Sequence, residues 1–383
     1  MRLAAQALPG STHALRLEVR EFLRGEVERG AFVPAVDTWL GGVSTELSQA
    51  LGARGWLGMS YPTESGGRGA SALDRFTVTE ELLAAGAPVA AHWIAERQMA
   101  PSILTWGTEE QKQRFVPGIA RGEIYFAIGM SEPDTGSDLA SVRTRGEQVE
   151  GGWRVNGAKI WTSGAHVAHR MVALLRTSPR DDAHRHAGLS QFIIDLHSDG
   201  VEIRPIVSLD GSHHFNEVVF TDVFVPDEDV LGRVGDGWKQ CTSELAVERS
   251  GPERVLSTVP ALLLWVEGLR SGAAPADAHA RRVLGGLIAR LWVLRQMSLA
   301  VAGALAAGDS PEVEAAVVKE LGTRFEGELV DAVRRLAPDL PDLAGSPLSS
   351  MLATGVLHAP GFTLRGGTNE ILRGLVARGL GVR

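Results

Sequence analysis

Cysteine is almost absent from this 383-residue sequence, which contains a single one, Cys241. A lone thiol excludes an intramolecular disulfide and fits a reducing compartment. The chain also lacks an excess of basic residues. Its 38 Lys and Arg stand against 46 Asp and Glu and give a formal net charge of −8. This balance argues against a nucleic-acid partner, which requires a basic surface.

Long hydrophobic runs are missing as well. No uninterrupted apolar stretch approaches the roughly 18 residues that a membrane helix needs. The N-terminal stretch MRLAAQALPGSTHALRLEVREFL lacks the charged start, apolar run and small-residue cleavage site of a signal peptide. We therefore expect a soluble cytoplasmic protein with no membrane partner.

The residues that are present, 44% apolar and 22% charged, describe an ordinary globular protein, and the length suits two or three packed domains. Residues 1–120 show helical periodicity, for example at Leu15, Val19 and Leu23, and predict an N-terminal helical domain. Thr108, followed three residues later by Gln111, predicts a capping box for a helix that begins at Glu109.

Residues 121–233 change to short β-branched or aromatic segments separated by turn signals, which predicts a middle β-domain. The Asn156-Gly157 pair predicts a two-residue hairpin turn. Helical periodicity returns over 234–383, with long helices expected at about 237–270, 278–307 and 311–336, the first kinked at Gly251-Pro252. Helices, then strands, then helices indicate an α+β fold with segregated domains.

The stretch YFAIGMSEPDTGSDLASVRTR, residues 125–145, carries the strongest chemical signal. A tight polar turn over residues 134–138 would offer backbone N–H groups and hydroxyls to a flat polar ligand or a phosphate. The segment from Lys159 to Ser163 predicts a β-strand whose alternation puts Trp161 and Ser163 on one face. An indole and a hydroxyl so placed suit a flavin ring, although a strand tryptophan is more often a core residue.

Together these segments resemble the acyl-CoA dehydrogenase family of flavoproteins along nearly the whole chain. The segments that carry the resemblance occur in the family's order and are GWLGMSYPTESGGRGAS, GTEEQKQRFVPGIARGE, SEPDTGSD, NGAKIWTSG and GGTNEILR. Thr135 departs from the small residue usual before Gly-Ser-Asp. The resemblance implies a helical N-terminal domain, a β-barrel-like middle domain and a C-terminal four-helix bundle. FAD is expected between the middle domain and the bundle, commonly touching a second subunit.

The resemblance also implies roles for individual residues. Ser137 and Arg249 are expected at the acyl-CoA substrate. The residues expected to contact FAD are Met130 and Ser131 at the pyrimidine edge, Trp161 on the ring, Ser163 near N5, and Thr368 and Glu370 in the terminal turn. For each hydroxyl, a turn or helix-cap role is the alternative.

The family's reaction removes a proton from Cα of a thioester while a hydride leaves Cβ for the flavin. It needs a carboxylate base and hydrogen-bond donors for the thioester carbonyl. In many members the base is a glutamate directly before Gly-Thr in the terminal turn, where this chain has Gly366. A second family arrangement, a glutamate before an arginine on a bundle helix, points to Glu248, which precedes Arg249. Gly366 keeps its peptide N–H for the substrate carbonyl, and Glu244 and other acidic residues stay open as rivals for the base.

Two cofactor elements depart from the family pattern. The family commonly has an Arg-x-x-Phe-Gly run ending in Gln that reaches a neighbour's FAD. The corresponding RRVLGGLIARLW keeps Gly285 and Arg281, which the resemblance places at FAD, but has Leu284 for Phe and Trp292 for Gln. The glycine-rich loop before the terminal turn is replaced by MLATGVLHAPGF. Two assemblies therefore stay open: a homodimer or homotetramer, and a heteromer with a paralogous subunit.

The expected activity is FAD-dependent α,β-dehydrogenation of an acyl-CoA to a trans-2-enoyl-CoA, with an electron-transfer flavoprotein as the acceptor. One alternative is a flavin oxidase or monooxygenase on the same fold, and another is a non-catalytic subunit of a heteromeric acyl-CoA dehydrogenase. The histidines in DDAHRHAG and GSHHF form no convincing ligand set, so no metal is expected.

Overall fold

The computed structural model describes residues 3–248 and 251–382, with the backbone alone for residues 244–248. The chain forms two compact units. The helical unit comprises Met1–Gly42, Ser71–Pro88 and Glu248–Arg383, and the sheet unit comprises Val43–Ala70 and Val89–Val247. Helices, a sheet and further helices follow one another along the chain, so the predicted α+β class is confirmed. The domain boundaries proposed at 120/121 and 233/234 stay predictions.

The longest helices of the described chain, α11 and α12, lie in its C-terminal part. In chain order the α-helices are α1 (Ser11–Glu28), α2 (Thr38–Gly41), α3 (Thr45–Ala53), α4 (Ala72–Ala84), α5 (Ala90–Ile94), α6 (Ala100–Trp106), α7 (Glu109–Ala120), α8 (Gly237–Glu248), α9 (Glu253–Leu256), α10 (Val259–Ser271), α11 (Ala278–Ala306), α12 (Glu312–Arg334), α13 (Pro347–Phe362) and α14 (Asn369–Gly379). The long helices expected near 278–307 and 311–336 are confirmed as α11 and α12.

A mixed sheet forms the centre of the sheet unit. Its strands are β1 (Phe126–Gly129), β2 (Arg145–Val149), β3 (Gly152–Lys159), β4 (Arg170–Arg176), β5 (Leu189–Asp195), β6 (Val201–Val207), β7 (His213–Pro226) and β8 (Val230–Leu231). The spatial order is β6-β7-β3-β2-β4-β5-β8, and β1 pairs in parallel with β4. Alternate residues of β3, β4, β5 and β7 bury their side chains in one core cluster that includes Trp153, Phe192 and Val223.

The helix that follows α6 begins with the predicted capping box. The Thr108 hydroxyl accepts from the Gln111 N–H at 3.2 Å, and the Gln111 side-chain oxygen accepts from the Thr108 N–H at 3.1 Å. The Gln111 amide nitrogen also donates to the carbonyls of Glu228 and Val230. The capping prediction is confirmed, and the same glutamine ties α7 to the end of the sheet.

The hairpin turn predicted at Asn156-Gly157 is wrong. β3 runs straight through this pair and has β2 on one side and β7 on the other. The pairing with β7 shifts register between Val155 and Gly157, where φ is +140°, so the glycine marks a β-bulge. A Cβ at Gly157 would lie 2.7 Å from the Thr144 Cα. The glycine is needed for this close approach of the backbone, and the turn between β2 and β3 lies at Gly151 instead.

The single kinked helix predicted over 237–270 is also wrong. α8 ends at Glu248, the short α9 begins at Glu253 directly after Pro252, and α10 begins at Val259 with Pro260 in its first turn. A proline lacks the N–H that would continue a preceding helix, but it is accepted where a new helix begins. Each proline therefore marks the start of a separate helix.

α12 is the central helix of the helical unit and packs against α9, α10, α11, α13 and α14. Its buried stripe includes Val318, Phe325 and Leu329, together with two charged residues, Lys319 and Glu326. Within the described part of the chain one helix, α11, has the length and composition of a membrane span, a test that core helices of soluble proteins also pass.

Candidate active site

A buried ion pair fixes the loop that follows β1 in the sheet unit. The fully buried Lys159 ammonium lies 2.8 Å from the Glu132 carboxylate and donates to the Met130 carbonyl at 3.2 Å. The carboxylate also accepts from the backbone N–H groups of Arg143 and Thr144, at 2.7 and 2.9 Å. Burial pushes the pKa of Glu132 up, but Lys159 and these hydrogen bonds outweigh it and hold the pKa below its ordinary value. The pair thus fixes the backbone of Met130 and Ser131.

The polar turn of the SEPDTGSD motif begins two residues earlier than predicted. Glu132 and Thr135 exchange both backbone hydrogen bonds, at 2.8 and 2.9 Å, around Pro133-Asp134. Thr135 is buried, and its hydroxyl donates to the Ser141 carbonyl at 3.4 Å. Its extra atoms relative to the family's small residue therefore lie inside the loop. Ser137, predicted at the substrate, lies beyond the turn and is exposed.

Trp161 does not lie on a strand, and the prediction that alternation places it with Ser163 is wrong. β3 ends at Lys159, and Trp161 has φ +58° with 56% of its surface exposed. Left-handed backbone is a rare conformation for a bulky residue and breaks the two-residue alternation. The indole meets Phe215 edge to face at 5.6 Å, and more than half of its surface remains exposed.

Backbone hydrogen bonds bring the Trp161 segment beside the Met130–Ser131 loop. The Ile160 N–H donates to the Ser131 carbonyl at 2.9 Å. On the other side, Thr162 and Asn216 exchange backbone hydrogen bonds at 3.0 and 3.1 Å, and the Asn216 amide donates to the Thr162 carbonyl. Ser163 follows in the next turn and is half-buried. The strained tryptophan is thus held from both sides.

The terminal turn of the helical unit lies between α13 and α14. Gly366 and Gly367 have φ of +68° and +85°, and Thr368 caps α14 with its hydroxyl accepting from the Ile371 N–H at 3.4 Å. Glu370 is exposed in the first turn of α14, and its pKa is lowered, first by its own backbone N–H and then by Thr368. The cap role that sequence left open for Thr368 is therefore present.

The left-handed backbone gives a physical reason for glycine at position 366. A side chain in this conformation costs roughly 1–2 kcal/mol, a strain that glycine avoids. The missing carboxylate and the backbone conformation therefore go together. The two consecutive glycines let the chain turn sharply between the end of α13 at Phe362 and Thr368, which caps α14.

Arg365, directly before Gly366, is anchored to a buried carboxylate that sequence reasoning missed. Its Nη1 donates to Asp37 Oδ2 at 2.9 Å, and its Nη2 forms an ion pair with Oδ1 at 2.8 Å. The guanidinium carbon lies 4.5 Å from the Trp39 ring centre. The His358 Nδ1 lies 2.9 Å from the same carboxylate. Burial raises the pKa of Asp37, but Arg365 and His358 outweigh burial and bring it down to about 2. No local sequence signal links Asp37 to a turn 328 residues later.

Glu326 on α12 is a second buried carboxyl that sequence reasoning missed. One oxygen accepts from the Ser257 N–H at 2.9 Å. Burial, the largest effect, raises the pKa of Glu326 to about 7 even though Arg365 opposes the rise. A signal for Glu326 was present in the sequence. Glu326 follows Lys319 by seven positions and lies with it on the apolar stripe of the predicted helix, where charged residues are rare.

Of the remaining predicted residues, two lie partly or wholly outside the described part of the chain, and one lies apart from these clusters. Glu248 is the last residue of α8, but its side chain and the whole of Arg249 lie outside the described residues, as does the side chain of the rival Glu244. Arg281 lies near the start of α11 with an exposed side chain. The assignments of base, substrate arginine and cofactor arginine therefore stay predictions.

The side chains around Trp161 fit a flat heteroaromatic ring such as a flavin. The exposed indole would supply stacking area, and the neighbouring Met130–Ser131 loop would supply backbone and hydroxyl groups for a polar edge. Bulky residues in left-handed backbone are found where function requires them.

Two family models match most of the N-terminal and middle parts of the chain. The Acyl-CoA dehydrogenase, N-terminal domain, matches residues 10–123, and the Acyl-CoA dehydrogenase, middle domain, matches residues 127–223. The acyl-CoA dehydrogenase IpdE1 of Mycobacterium tuberculosis is 35% identical over 346 residues, which cover 86% of this chain and 85% of the relative. The acyl-CoA dehydrogenase FadE34 of the same organism is 35% identical over 86% of this chain, which spans 45% of FadE34's length.

Solved structures give the same picture over the full length. The Tcur3481-Tcur3483 steroid ACAD is 29% identical with a TM-score of 0.87, and the alignment covers 100% of both chains. The ChsE4-ChsE5 complex from Mycobacterium tuberculosis is 28% identical with a TM-score of 0.82, again over 100% of both chains.

Proposed function

Because the chain belongs to the acyl-CoA dehydrogenase family, we propose that it catalyses FAD-dependent α,β-dehydrogenation of an acyl-CoA and passes the electrons to an electron-transfer flavoprotein. The observation that carries this proposal is the open, left-handed Trp161 beside the Met130–Ser131 loop. Strained backbone conformations occur at ligand-binding sites, and an aromatic ring packed on the indole would account for the strain at Trp161.

Each proposed role follows from chemistry that the reaction requires. FAD, when bound, supplies the hydride acceptor for the hydrogen at the substrate Cβ. Met130 and Ser131 bind the pyrimidine edge of the ring, and Ser163 donates near N5. Thr368 and Glu370 approach the cofactor from the terminal turn, and Ser137 and Arg249 bind the acyl-CoA. These residues orient the cofactor and the substrate relative to each other, and none of them is proposed to accept the Cα proton.

The proton at Cα requires a base, and we assign it to Glu248. The Cα–H bond breaks, the proton moves to the Glu248 carboxylate, and the electron pair forms the new double bond as the hydride leaves Cβ. Charge that develops on the thioester oxygen is stabilised by the Gly366 peptide N–H. Gly366 has no side chain to act as the base, which supports a base elsewhere in the chain.

A bulky acyl group is the substrate class that the relatives favour. The structurally similar Tcur3481-Tcur3483 protein is described as a steroid ACAD. We therefore propose that this chain acts on the CoA thioester of a polycyclic or branched acid. Pairing with an unlike subunit is the assembly we favour, since the similar ChsE4-ChsE5 protein is a complex of two differently named chains.

The test is an anaerobic titration of the purified flavoprotein with a panel of acyl-CoAs, from straight chains to a steroid side-chain thioester. The oxidised flavin absorbance is expected to bleach with the bulky substrate. In Glu248→Gln, bleaching should slow by about 10²- to 10⁴-fold, the usual loss on removing a general base, while bound FAD is unchanged.

Glu244→Gln is the matched control, because it removes a carboxylate one turn earlier on α8 and should bleach as the wild type does. Unimpaired bleaching in Glu248→Gln would exclude this residue as the base. Rapid reoxidation by air with formation of peroxide would favour a flavin oxidase or monooxygenase over a dehydrogenase.

A further inference from the structure

A buried lysine of α12 holds the terminal turn from below. Lys319 has 0% of its surface exposed. Its ammonium donates to the Gly367 carbonyl at 2.8 Å, the Asn369 side-chain oxygen at 2.8 Å and the Thr363 carbonyl at 3.2 Å. Hydrogen bonds from a charged donor are stronger than neutral ones, and burial strengthens them further. One cation therefore joins the two ends of the segment 363–369.

Asn369 adds a second layer to the same attachment. Its backbone N–H donates to the Thr363 carbonyl at 3.0 Å, which closes the loop on itself. Its side-chain amide donates to the Thr323 hydroxyl at 3.3 Å and to the Glu320 carbonyl at 3.4 Å. Lys319 and Thr323 are one helical turn apart on α12, and the Thr323 hydroxyl donates back to the Lys319 carbonyl at 2.8 Å.

Gly366 thus lies between two fixed neighbours. Arg365 is bound to Asp37 on one side, and the Gly367 carbonyl is bound to Lys319 on the other. Two consecutive glycines with positive φ have the greatest backbone freedom of any residue pair, so a defined position for the Gly366 N–H needs contacts from outside the turn. The Lys319 contacts supply them.

We propose that Lys319 is a positioning residue that fixes the Gly366 peptide N–H for the thioester carbonyl. This inference rests on the proposed function, in which that N–H stabilises the charge of the transition state. A donor that is displaced binds the ground state nearly as before but stabilises the transition state less. Loss of Lys319 therefore lowers kcat more than it raises KM.

The first experiment measures the turn itself and needs no substrate. Hydrogen–deuterium exchange of the peptide spanning 363–369 is compared in wild type, Lys319→Met and Val318→Ala. Lys319→Met removes the ammonium at similar length. Val318 is buried in a cluster with Val301 and Ala315, so Val318→Ala perturbs α12 without touching the turn. Exchange of the turn should rise at least about tenfold in Lys319→Met, which corresponds to about 1.4 kcal/mol, and stay unchanged in Val318→Ala.

The second experiment measures catalysis in the flavin-loaded variants. Lys319→Met should lower kcat by about 10- to 100-fold, the range expected for a displaced donor, with a smaller change in KM. Val318→Ala should keep kcat near that of the wild type. Thr323→Val keeps the side-chain shape and removes only the hydroxyl that Asn369 contacts. It should raise exchange and lower kcat as Lys319→Met does, but by smaller factors.

Thr323→Val also keeps the inference testable if Lys319→Met does not fold. Unchanged exchange of segment 363–369 in these variants overturns the positioning role, and so does a loss of kcat no larger than that of Val318→Ala. If no acyl-CoA bleaches the wild type, the proposed function fails, and the exchange experiment alone decides whether Lys319 fixes the turn.

Discussion

At the scale of single residues, a buried carboxyl with a raised pKa makes stability depend on pH. Glu326 keeps its proton in the folded chain up to about pH 7, whereas in the unfolded chain it releases the proton near its ordinary pKa of 4.5. Unfolding between these values releases a proton, so the stabilising contribution is complete below pH 4.5 and is lost as pH rises through about 7. The shift corresponds to on the order of 3 kcal/mol.

We predict that Glu326→Gln removes this dependence. The free energy of unfolding of the wild type, measured by urea denaturation, should fall between pH 5 and pH 8 more steeply than that of the variant. Glu328→Gln is the control, because Glu328 lies two positions later on α12 in an exposed pair with Arg290. Equal slopes for wild type and Glu326→Gln would contradict the assignment.

Gly366 shows how far a single position can be interpreted from sequence. The sequence shows that position 366 has no carboxylate, and this absence favours a base elsewhere in the chain, at Glu248. The left-handed backbone was not visible, nor was the attachment of the turn through Lys319 and Arg365. These contacts depend on residues 48 and 328 positions away, and no periodicity or local motif connects such distant positions.

At the scale of secondary-structure elements, the long helices α11 and α12 were predictable because a 3.6-residue apolar period over more than twenty residues leaves no competing structure. The Asn156-Gly157 pair was not, because its turn preference is overridden by β2 and β7, which pair with β3 on both sides. A propensity repeated over many residues determines the secondary structure, as in α11 and α12. A preference of only two residues, as at Asn156-Gly157, is overridden by strand pairing on both sides.

The left-handed backbone of Trp161, two residues after the end of β3, gives a prediction about strain. Trp161→Gly should leave the thermal midpoint of the apoprotein unchanged or raise it, because glycine relieves roughly 1–2 kcal/mol of left-handed strain and the half-exposed indole buries little area. The dissociation constant for FAD should rise by about tenfold or more, since the stacking surface is gone.

The control for this prediction is Trp153→Ala in β3, the strand that precedes Trp161. Trp153 is buried and contacts Phe192 edge to face, so its removal should destabilise the fold by about 3–5 kcal/mol. A loss of stability in Trp161→Gly like that of Trp153→Ala would mean that Trp161 serves the core and carries no ligand-related strain.

At the scale of the whole molecule, α11 has an apolar surface that is exposed to solvent in the single chain. Ile288, Trp292 and Val293 are 51, 61 and 55% exposed. Exposed apolar patches of this kind mark association surfaces. Together with the similar ChsE4-ChsE5 complex, this surface supports the proposal that the chain works in an assembly.

We predict that the chain elutes with a mass above that of one 40.8 kDa chain and that Trp292→Arg reduces this mass. Light scattering after size exclusion measures the effect. Leu340→Arg, at a position outside α11 that is 85% exposed, should leave the mass unchanged. An increase of bound FAD on co-expression with an unlike subunit would favour the heteromer over the homo-oligomer. A mass unchanged in Trp292→Arg would exclude α11 from the interface.

The sequence by itself determined the order of the helical and sheet segments, the capping box of α7, the family and the absence of a carboxylate at Gly366. These features depend on residues that are close together in the chain, because helical periods, capping pairs and short motifs reflect local backbone geometry. Only the tertiary structure decided that Trp161 lies beyond the end of β3, that Glu326 is buried with a raised pKa, and that Lys319 and Asp37 hold the two sides of the terminal turn. Burial and hydrogen bonding between distant residues set these properties, and such contacts exist only once the chain has folded.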